Sequence, residues 1–337
     1  MNTERETWLK TTMEEAIDPG LPICDPHHHL WYHTHHGYSL KNFLGDAVGG
    51  HNIVQTVYVE SWLMLKNTWP PEKQPASETE LVQNMVKQNA AGKLGKTNVA
   101  AGIVGFADLT MGDAVNSVLE SHLSASEERF RGIRQACAWD ASGDIKSPWP
   151  TPRGLMTDPM FRKGFACLHK YGLSFDAWAF HPQLPELLDL ARDFPETTIV
   201  LNHIGGPLGV GPYAGRAAEV FNEWKRAIMV LASCHNVFVK LGGLGMELCG
   251  FGWHRQGTPP GSAELAEKMA PYYLWCIEQF GANRCMFESN FPVDRMSYSY
   301  TVIWNAFKRV SKDFSNEERR FLFHDTAARA YRLQPGL

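Results

Sequence analysis

Short runs of apolar and β-branched residues alternate with longer segments of helical periodicity from one end of the chain to the other. Residues 197–201 and 237–241 are nearly continuous apolar runs, which is typical of strands buried on both faces of a parallel sheet. The predicted strands are residues 22–30, 53–61, 99–108, 130–139, 173–180, 198–204, 236–241 and 284–289. The predicted helices are residues 77–91, 113–123, 159–171, 184–194, 217–234, 263–280, 300–310 and 316–331.

Repeated strand–helix units in a chain of 337 residues predict an α/β protein with the (β/α)8 TIM barrel fold. We assign residues 21–337 to one barrel domain and residues 1–20, with a helix at 4–17, to a short N-terminal arm. An open doubly wound sheet is the main alternative, but neither nucleotide-binding signature of that fold occurs. The glycine- and proline-rich segment 244–260 follows the seventh strand, where barrel loops line the substrate pocket.

Composition and charge narrow the class of protein. The 32 basic and 36 acidic residues give a formal net charge of -4 without a long run of one sign, which argues against nucleic-acid binding. No apolar run approaches the about 20 residues that span a bilayer, and the first residues lack an apolar signal core. Seven cysteines without a C-x-x-C pair are expected to be reduced, mostly buried thiols of a cytoplasmic protein. We expect a small-molecule substrate, no nucleic-acid or membrane partner, and room for a homodimer interface among the 11 tryptophans.

Histidine is concentrated at the end of the first predicted strand, since six of the 14 histidines lie between His27 and His36. Residues two apart on a strand point to the same side, so His27 and His29 are expected to face the barrel interior and His28 the surrounding helices. Two neutral imidazoles placed in this way can bind one divalent ion. An isolated H-x-H pair is usually incidental, but its position at the end of the first barrel strand favours the ligand interpretation.

Seven motifs in a fixed order extend this pattern over most of the chain. They are Asp25-Pro-His-His-His-Leu-Trp, Phe130-Arg-Gly-Ile-Arg134, His181-Pro-Gln-Leu184, Leu201-Asn-His-Ile-Gly-Gly-Pro207, Val239-Lys-Leu-Gly-Gly-Leu244, Phe287-Glu-Ser-Asn-Phe-Pro-Val-Asp294 and Thr326-Ala-Ala-Arg-Ala-Tyr-Arg-Leu333. Together they resemble the amidohydrolase superfamily, within its amidohydrolase-related (amidohydrolase 2) branch of TIM-barrel lactonases, hydrolases and decarboxylases. The resemblance covers residues 22–333 and implies an enzyme with its active site at the carboxyl ends of the strands.

The resemblance implies an active-site role for His203, at the end of the sixth strand, as a metal ligand or an electrophile. The alternative is that His203 is a structural histidine, buried in the core with its hydrogen bonds satisfied. The implied cofactor is a divalent metal, zinc or manganese, with His27, His29 and His203 as ligands. In a metal-free mechanism, which lactonases of this branch also use, the three imidazoles would polarise the substrate carbonyl directly.

The eighth strand departs from the family pattern. Metal-dependent members carry an aspartate at its tip, which binds metal and accepts a proton from the attacking water. Here that position is Asn290, which cannot act as a base. Glu288, on the same inward face, and Asp294, on the following loop, are the candidates to replace it. We favour Asp294 because its loop is expected at the pocket mouth, whereas an ion pair with Arg134 or Lys240 inside the barrel is the alternative for Glu288.

Polar and aromatic residues at the other strand ends are candidate substrate-binding residues. Arg134 would hold a substrate carboxylate through its planar guanidinium. The remaining candidates are Glu60, Trp178, His181 and Asn290. The alternative for each of these residues is a structural role, in side-chain packing or in a salt bridge.

Together these residues predict a hydrolase that opens a small carbonyl compound, a lactone above all, by attack of water. His27, His29 and His203, directly or through a metal, would stabilise the oxyanion. The alternatives are a metal-dependent decarboxylase of an aromatic acid, a C–N amidohydrolase, and a binding protein on a degenerate barrel without catalytic activity.

Overall fold

A computed structural model describes residues 3–31, 37–62, 69–90, 97–145 and 150–334. Eight parallel strands follow one another around a single sheet in sequence order. They are β1 (Pro22–His28), β2 (Asn52–Val59), β3 (Asn98–Gly105), β4 (Phe130–Ala136), β5 (Ser174–Trp178), β6 (Ile199–Leu201), β7 (Val237–Leu241) and β8 (Cys285–Phe287). A bridge between His28 and Phe291 closes the sheet, and the His29 N–H donates to the Phe291 carbonyl at 2.8 Å. The predicted single-domain (β/α)8 TIM barrel is therefore confirmed.

Among the described residues, one α-helix precedes the first strand, three follow the last, and the others connect successive strands on the outside of the barrel. They are α1 (Thr3–Leu9), α2 (Leu40–Ala47), α3 (Gln74–Ala90), α4 (Asn116–Ala125), α5 (Pro159–Lys170), α6 (Leu184–Asp193), α7 (Ala217–Leu231), α8 (Ser262–Phe280), α9 (Tyr300–Val310), α10 (Asn316–Arg320) and α11 (Thr326–Ala330). The short helix α2, capped by Ser39, has no counterpart among the predicted helices. The single helix predicted at 316–331 is instead two helices joined by a π-helical turn at Phe321–Asp325.

The strands are buried on both faces, as their continuous apolar runs predict. The largest apolar cluster fills the layer between the sheet and the helices. A second cluster, which includes Cys24, Val57, Val104, Val200 and Met286, fills the barrel interior, and Tyr331 from the C-terminal segment packs against it. The interior is thus a packed core, and open space lies beyond the carboxyl ends of the strands.

An irregularity in β1 determines which residues of this strand face inward. The pairing of β1 with β2 shifts between Asp25 and His28. Pro26 lies in this interval and has no N–H for the sheet. As a result Cys24 and His27 both lie in the interior although they are three residues apart, and Asp25 points outward to Tyr300 on α9.

The N-terminal segment packs across the loop after β7. Its helix ends at Leu9, so the helix predicted at 4–17 is wrong in length. The Trp8 indole N–H donates to the Gln256 carbonyl at 2.9 Å, and the Thr12 hydroxyl donates to the Pro259 carbonyl at 2.8 Å. Lys308 of α9 donates to the carbonyls of Ile17 and Asp18, each at 2.8 Å. These contacts hold the segment beside the loop that borders the cavity.

All seven cysteines carry free thiols, and five of them are buried, as expected from their spacing. Within the described residues, no helix combines the length and the apolar character needed to cross a bilayer.

Candidate active site

Three imidazoles from distant parts of the chain meet at the carboxyl end of the barrel. His27 lies on β1 and His29 comes directly after this strand, and the Nε2 atoms of the two rings are 3.2 Å apart. The His203 ring, just after β6, has its centre 4.5 Å from that of His27. His28 takes the opposite side of the strand, where it stacks on Phe43 of α2 with ring centres 4.2 Å apart. Because side chains alternate between the two faces of a strand, His27 and His29 point into the site and His28 points away from it.

Hydrogen bonds orient two of these rings. His29 Nδ1 lies 2.9 Å from the Val59 carbonyl, so this nitrogen carries the proton and Nε2 carries the lone pair. His203 Nδ1 lies 2.6 Å from Glu288 Oε1, which also accepts the His203 backbone N–H at 3.1 Å. Burial lowers the pKa of His27, His29 and His203 well below the ordinary value. The rings are therefore neutral at pH 7, the form that binds a metal ion.

Glu288 is the carboxylate in contact with the imidazoles. Its Oε1 accepts from His203, and its Oε2 lies 3.0 Å from His27 Nδ1 without an aligned hydrogen-bond donor among the described residues. The side chain is completely buried, and burial raises the pKa of Glu288 to about 8. The ion pair that the sequence suggested for Glu288, with Arg134 or Lys240, is replaced by these contacts with His27 and His203.

The donor set fits a divalent cation. His27, His203 and Glu288 each offer a ligand atom, and these atoms lie within 4.8 Å of one another. Imidazole nitrogens together with a carboxylate oxygen suit zinc or manganese, and Glu288 Oε2 is a buried polar atom without a hydrogen bond among the described residues. His29, which the sequence also predicts as a ligand, is not part of this group of three, although its Nε2 lies 3.2 Å from that of His27.

A buried lysine lies beneath His27. Lys240 Nζ is 3.1 Å from His27 Nδ1 and donates to Asp176 Oδ2 at 2.7 Å. The Tyr331 hydroxyl donates to the same oxygen at 2.8 Å. The sequence suggests Lys240 only as an ion-pair partner of Glu288. A lysine inside the apolar strand β7 was the signal that a positive charge is needed within the barrel.

Arg134 is held mainly by Glu60. Its Nε donates to Glu60 Oε1 at 2.6 Å, and its Nη2 donates to the Glu60 carbonyl at 2.6 Å. Nη1 remains on the cavity side, 3.4 Å from His27 Nε2. Burial raises the pKa of Glu60 to about 7, although Arg134 opposes this shift. Arg134 lines the cavity, whereas Glu60 lies behind it as the partner that positions the guanidinium.

Asn290 and Asp294 form a pair at the end of β8. Asn290 Nδ2 donates to Asp294 Oδ1 at 2.9 Å, so its buried Oδ1 is left without a partner among the described residues. The other oxygen of Asp294 accepts from the Tyr298 hydroxyl at 2.6 Å and from the Gly245 N–H at 3.2 Å. Burial raises the pKa of Asp294 to about 7. Both oxygens of Asp294 already accept hydrogen bonds, and of the pair only Asn290 lines the cavity, so the geometry favours a positioning role for Asp294 over the predicted role of base.

The backbone after β6 and β7 is fitted closely around His203. His203 and Ile204 have positive φ values of 53° and 50°, which is rare for such side chains and typical of functional sites. Gly243 also has a positive φ, and a Cβ there would lie 2.5 Å from the Cβ of His203. A glycine at this position therefore allows the His203 ring to approach β7.

Part of this site forms the floor of an open cavity of about 810 Å³. His29, Arg134, Trp178, His203 and Asn290 line it. His181 does not line it, because its ring packs on Tyr213 and its Nδ1 accepts the Leu208 N–H at 3.3 Å. His33, His35 and His36, which belong to the histidine-rich segment of the sequence, lie outside the described residues.

The fold and the buried imidazole–carboxylate group define a class of TIM-barrel enzymes with a catalytic centre at the carboxyl ends of the strands. The chain belongs to the amidohydrolase family, whose model matches residues 24–333. An uncharacterized protein, y4mH, of Sinorhizobium fredii is 35% identical over 335 residues, which is 93% of this chain and 99% of that protein. An L-fucono-1,5-lactonase of Burkholderia ambifaria is 29% identical over 238 residues, 70% of this chain and 69% of the lactonase.

A solved structure shares the fold. An amidohydrolase of Burkholderia multivorans, crystallised with bound zinc, superposes with a TM-score of 0.71. The two chains are 22% identical, and the match covers 93% of this chain and 99% of that one. This similarity supports the barrel architecture.

The contact between Asn290 and Asp294 can be tested by mutation, because Asn290 stands where the family pattern has an aspartate. Asn290→Asp would place two carboxylates against each other in a buried site, so we expect the free energy of unfolding to fall by about 3 kcal/mol. The double variant Asn290→Asp/Asp294→Asn restores one acid and one amide and is expected to regain most of this loss. Urea unfolding of both variants measures the difference. Equal destabilisation in the single and double variants would contradict the pairing.

Proposed function

We propose that the protein hydrolyses a small lactone. The observation that carries this proposal is the buried group of His27, His203 and Glu288, of which His203 lines an open cavity. The 29% identical relative named as an L-fucono-1,5-lactonase supports the same chemistry. In the reaction, water adds to the carbonyl carbon and the ring C–O bond breaks. One water proton passes to the ring oxygen, and a hydroxy carboxylate is released with the second proton.

His27, His203 and Glu288 would hold the divalent ion, zinc or manganese, with His29 beside them. When bound, such an ion supplies Lewis-acid polarisation of a carbonyl and lowers the pKa of water. Glu288 keeps the proton of His203 on Nδ1, so that Nε2 faces the cavity as a lone pair. The carboxylate of Glu288 would also take up the proton that the attacking water loses, because its Oε2 has no hydrogen-bond donor among the described residues.

Two further residues act on the substrate and on the water. Arg134, fixed by Glu60 through two hydrogen bonds, directs Nη1 toward the floor and stabilises the negative charge that develops on the carbonyl oxygen. Asn290 Oδ1 accepts a hydrogen bond from the attacking water and orients it. Asp294 is a positioning residue, because its carboxylate fixes the Asn290 amide through Nδ2 and leaves Oδ1 without a partner among the described residues.

Steady-state kinetics on matched substrates tests the proposal. We expect hydrolysis of five- and six-membered lactones, with little turnover of the lactams of the same rings and of hydroxybenzoic acids. His203→Ala is expected to lower kcat/KM by about a thousandfold, because both the ring and the hydrogen bond to Glu288 are lost. Exposed His235, converted to alanine, is the matched control. Release of carbon dioxide from the aromatic acids without lactone opening would overturn the proposal in favour of a decarboxylase.

A further inference from the structure

The cavity has two chemically different sides. Its floor carries His29, His203, Arg134 and Asn290, whereas the loops after β6 and β7 contribute the apolar Val210, Met246 and Leu248 beside the polar Glu247, His254 and Arg255. We name the cavity-lining residues Trp178, Val210, Met246 and Leu248 the apolar wall. We propose that the substrate is a lactone whose ring carries an apolar alkyl or aryl substituent, bound against this wall. The inference rests on the proposed lactonase function and names the substrate class.

The apolar wall is the exposed side of a separate hydrophobic cluster. Ala138, Ile145, Trp178, Phe180 and Leu208 are its buried members, and Val210, Met246 and Leu248 pack against them. The cluster is distinct from the core between the sheet and the helices. Apolar side chains that face an open cavity leave their surface in water, and a ligand with an apolar substituent removes this surface from water.

The wall is preformed by backbone contacts. The Gly209 N–H, beside Val210, donates to the Leu248 carbonyl at 2.8 Å. A Cβ on Gly250 would lie 2.5 Å from the Gly209 carbonyl oxygen, so only glycine allows these two loops to approach so closely. The loops after β6 and β7 are thus joined before any ligand binds, which reduces the entropy that a bound substituent must offset.

The wall begins next to the catalytic floor. The rings of Trp178 and His203 are in edge contact, with centres 4.9 Å apart. A lactone whose carbonyl lies at His203 therefore places its ring beside Trp178, and a substituent on that ring extends toward Met246 and Leu248. The contact between Trp178 and His203 therefore determines both where the reacting carbon lies and where the apolar substituent lies.

Two sets of polar groups around the cavity are engaged with neighbouring residues. The Ser61 hydroxyl contacts Glu78 Oε1 at 3.0 Å and the Leu30 carbonyl at 3.2 Å. At the rim, Arg255 is paired with Glu247. A polyhydroxylated ring against the apolar wall would leave hydroxyl groups without partners, and burying such groups is costly. The wall therefore selects against sugar-like substituents.

A series of six-membered lactones with the same ring tests the inference. From δ-hexalactone through δ-octalactone to δ-decalactone, we expect kcat/KM to rise about threefold for each added methylene until the wall is covered. D-Glucono-1,5-lactone is expected to be at least about tenfold poorer than δ-decalactone. Leu248→Ser should flatten the dependence on chain length, whereas Met229→Ser, an exposed change on α7, should leave it intact.

The outcomes separate the substrate class from the reaction. Hydrolysis of gluconolactone with no dependence on alkyl length would overturn the inference and leave the lactonase function standing. If no lactone is hydrolysed, the proposed function fails, and tryptophan fluorescence with six-membered lactams of the same alkyl lengths then tests the wall alone. Affinity that rises with chain length and is lost in Leu248→Ser supports the apolar site. Affinity independent of chain length overturns it.

Discussion

Replacement of Glu288 by glutamine is expected to lower kcat/KM for lactone hydrolysis by about a thousandfold or more. Glutamine keeps the size of the side chain but converts one oxygen into an NH2 group. Glu288 Oε1 accepts two N–H groups of His203, and Oε2 lies 3.0 Å from His27 Nδ1. The amide nitrogen must therefore face either the donors of His203 or the ring of His27, and the negative charge is lost in both cases.

The same variant tests the metal site independently of turnover. After reconstitution with zinc and removal of excess ion, the unmodified protein is expected to keep about one zinc per chain and Glu288→Gln about a tenth of that or less. Elemental analysis gives this ratio, and circular dichroism shows whether the fold is retained. Glu127→Gln, an exposed carboxylate before β4, is the matched control. Unchanged kinetics and zinc content in Glu288→Gln would remove both roles assigned to this residue.

Replacement of Asp25 by alanine is expected to cause the largest loss of stability, about 3–4 kcal/mol in the free energy of unfolding. Its buried carboxylate accepts from the Ser289 N–H at 3.0 Å, the Ser289 hydroxyl at 2.6 Å and the Tyr300 hydroxyl at 2.9 Å. The His27 N–H is a fourth, longer contact at 3.3 Å. Asp25 thereby joins β1 to the segment after β8 and to α9. Its removal leaves several donors buried without an acceptor.

Equilibrium unfolding in urea measures this effect. Tyr300→Phe removes one of the four donors and is expected to cost about 1 kcal/mol, so it remains informative if the alanine variant does not fold. Asp113→Ala is the matched control, because that carboxylate and its ion-pair partner Lys163 are both exposed, where salt bridges contribute little to stability. If Asp25→Ala unfolds at the same urea concentration as Asp113→Ala, the carboxylate does not join the first and last strands as described.

The sequence located the candidate site through a local rule and through the family resemblance. The alternation of side chains along β1 placed His27 and His29 on one side, whereas His203 and Asn290 were assigned from the resemblance to the amidohydrolase superfamily. The same rules could not rank Glu288 against Asp294, because both lie near the end of β8. Only the side-chain contacts, Glu288 with two imidazoles and Asp294 with Asn290 and Tyr298, distinguish them.

The sequence by itself determined the barrel, the order of its strands and the end at which the histidines lie, because hydrophobic periodicity and strand alternation are properties of neighbouring residues. The tertiary structure decided which side chains contact each other. Glu288 contacts His203, which is 85 residues away, and Glu60 contacts Arg134, 74 residues away. Lys240 contacts His27, 213 residues away. The tertiary structure also joined the loops after β6 and β7 into the apolar wall. Such pairings depend on strand register and on the path of each loop, which the local pattern of residues does not encode.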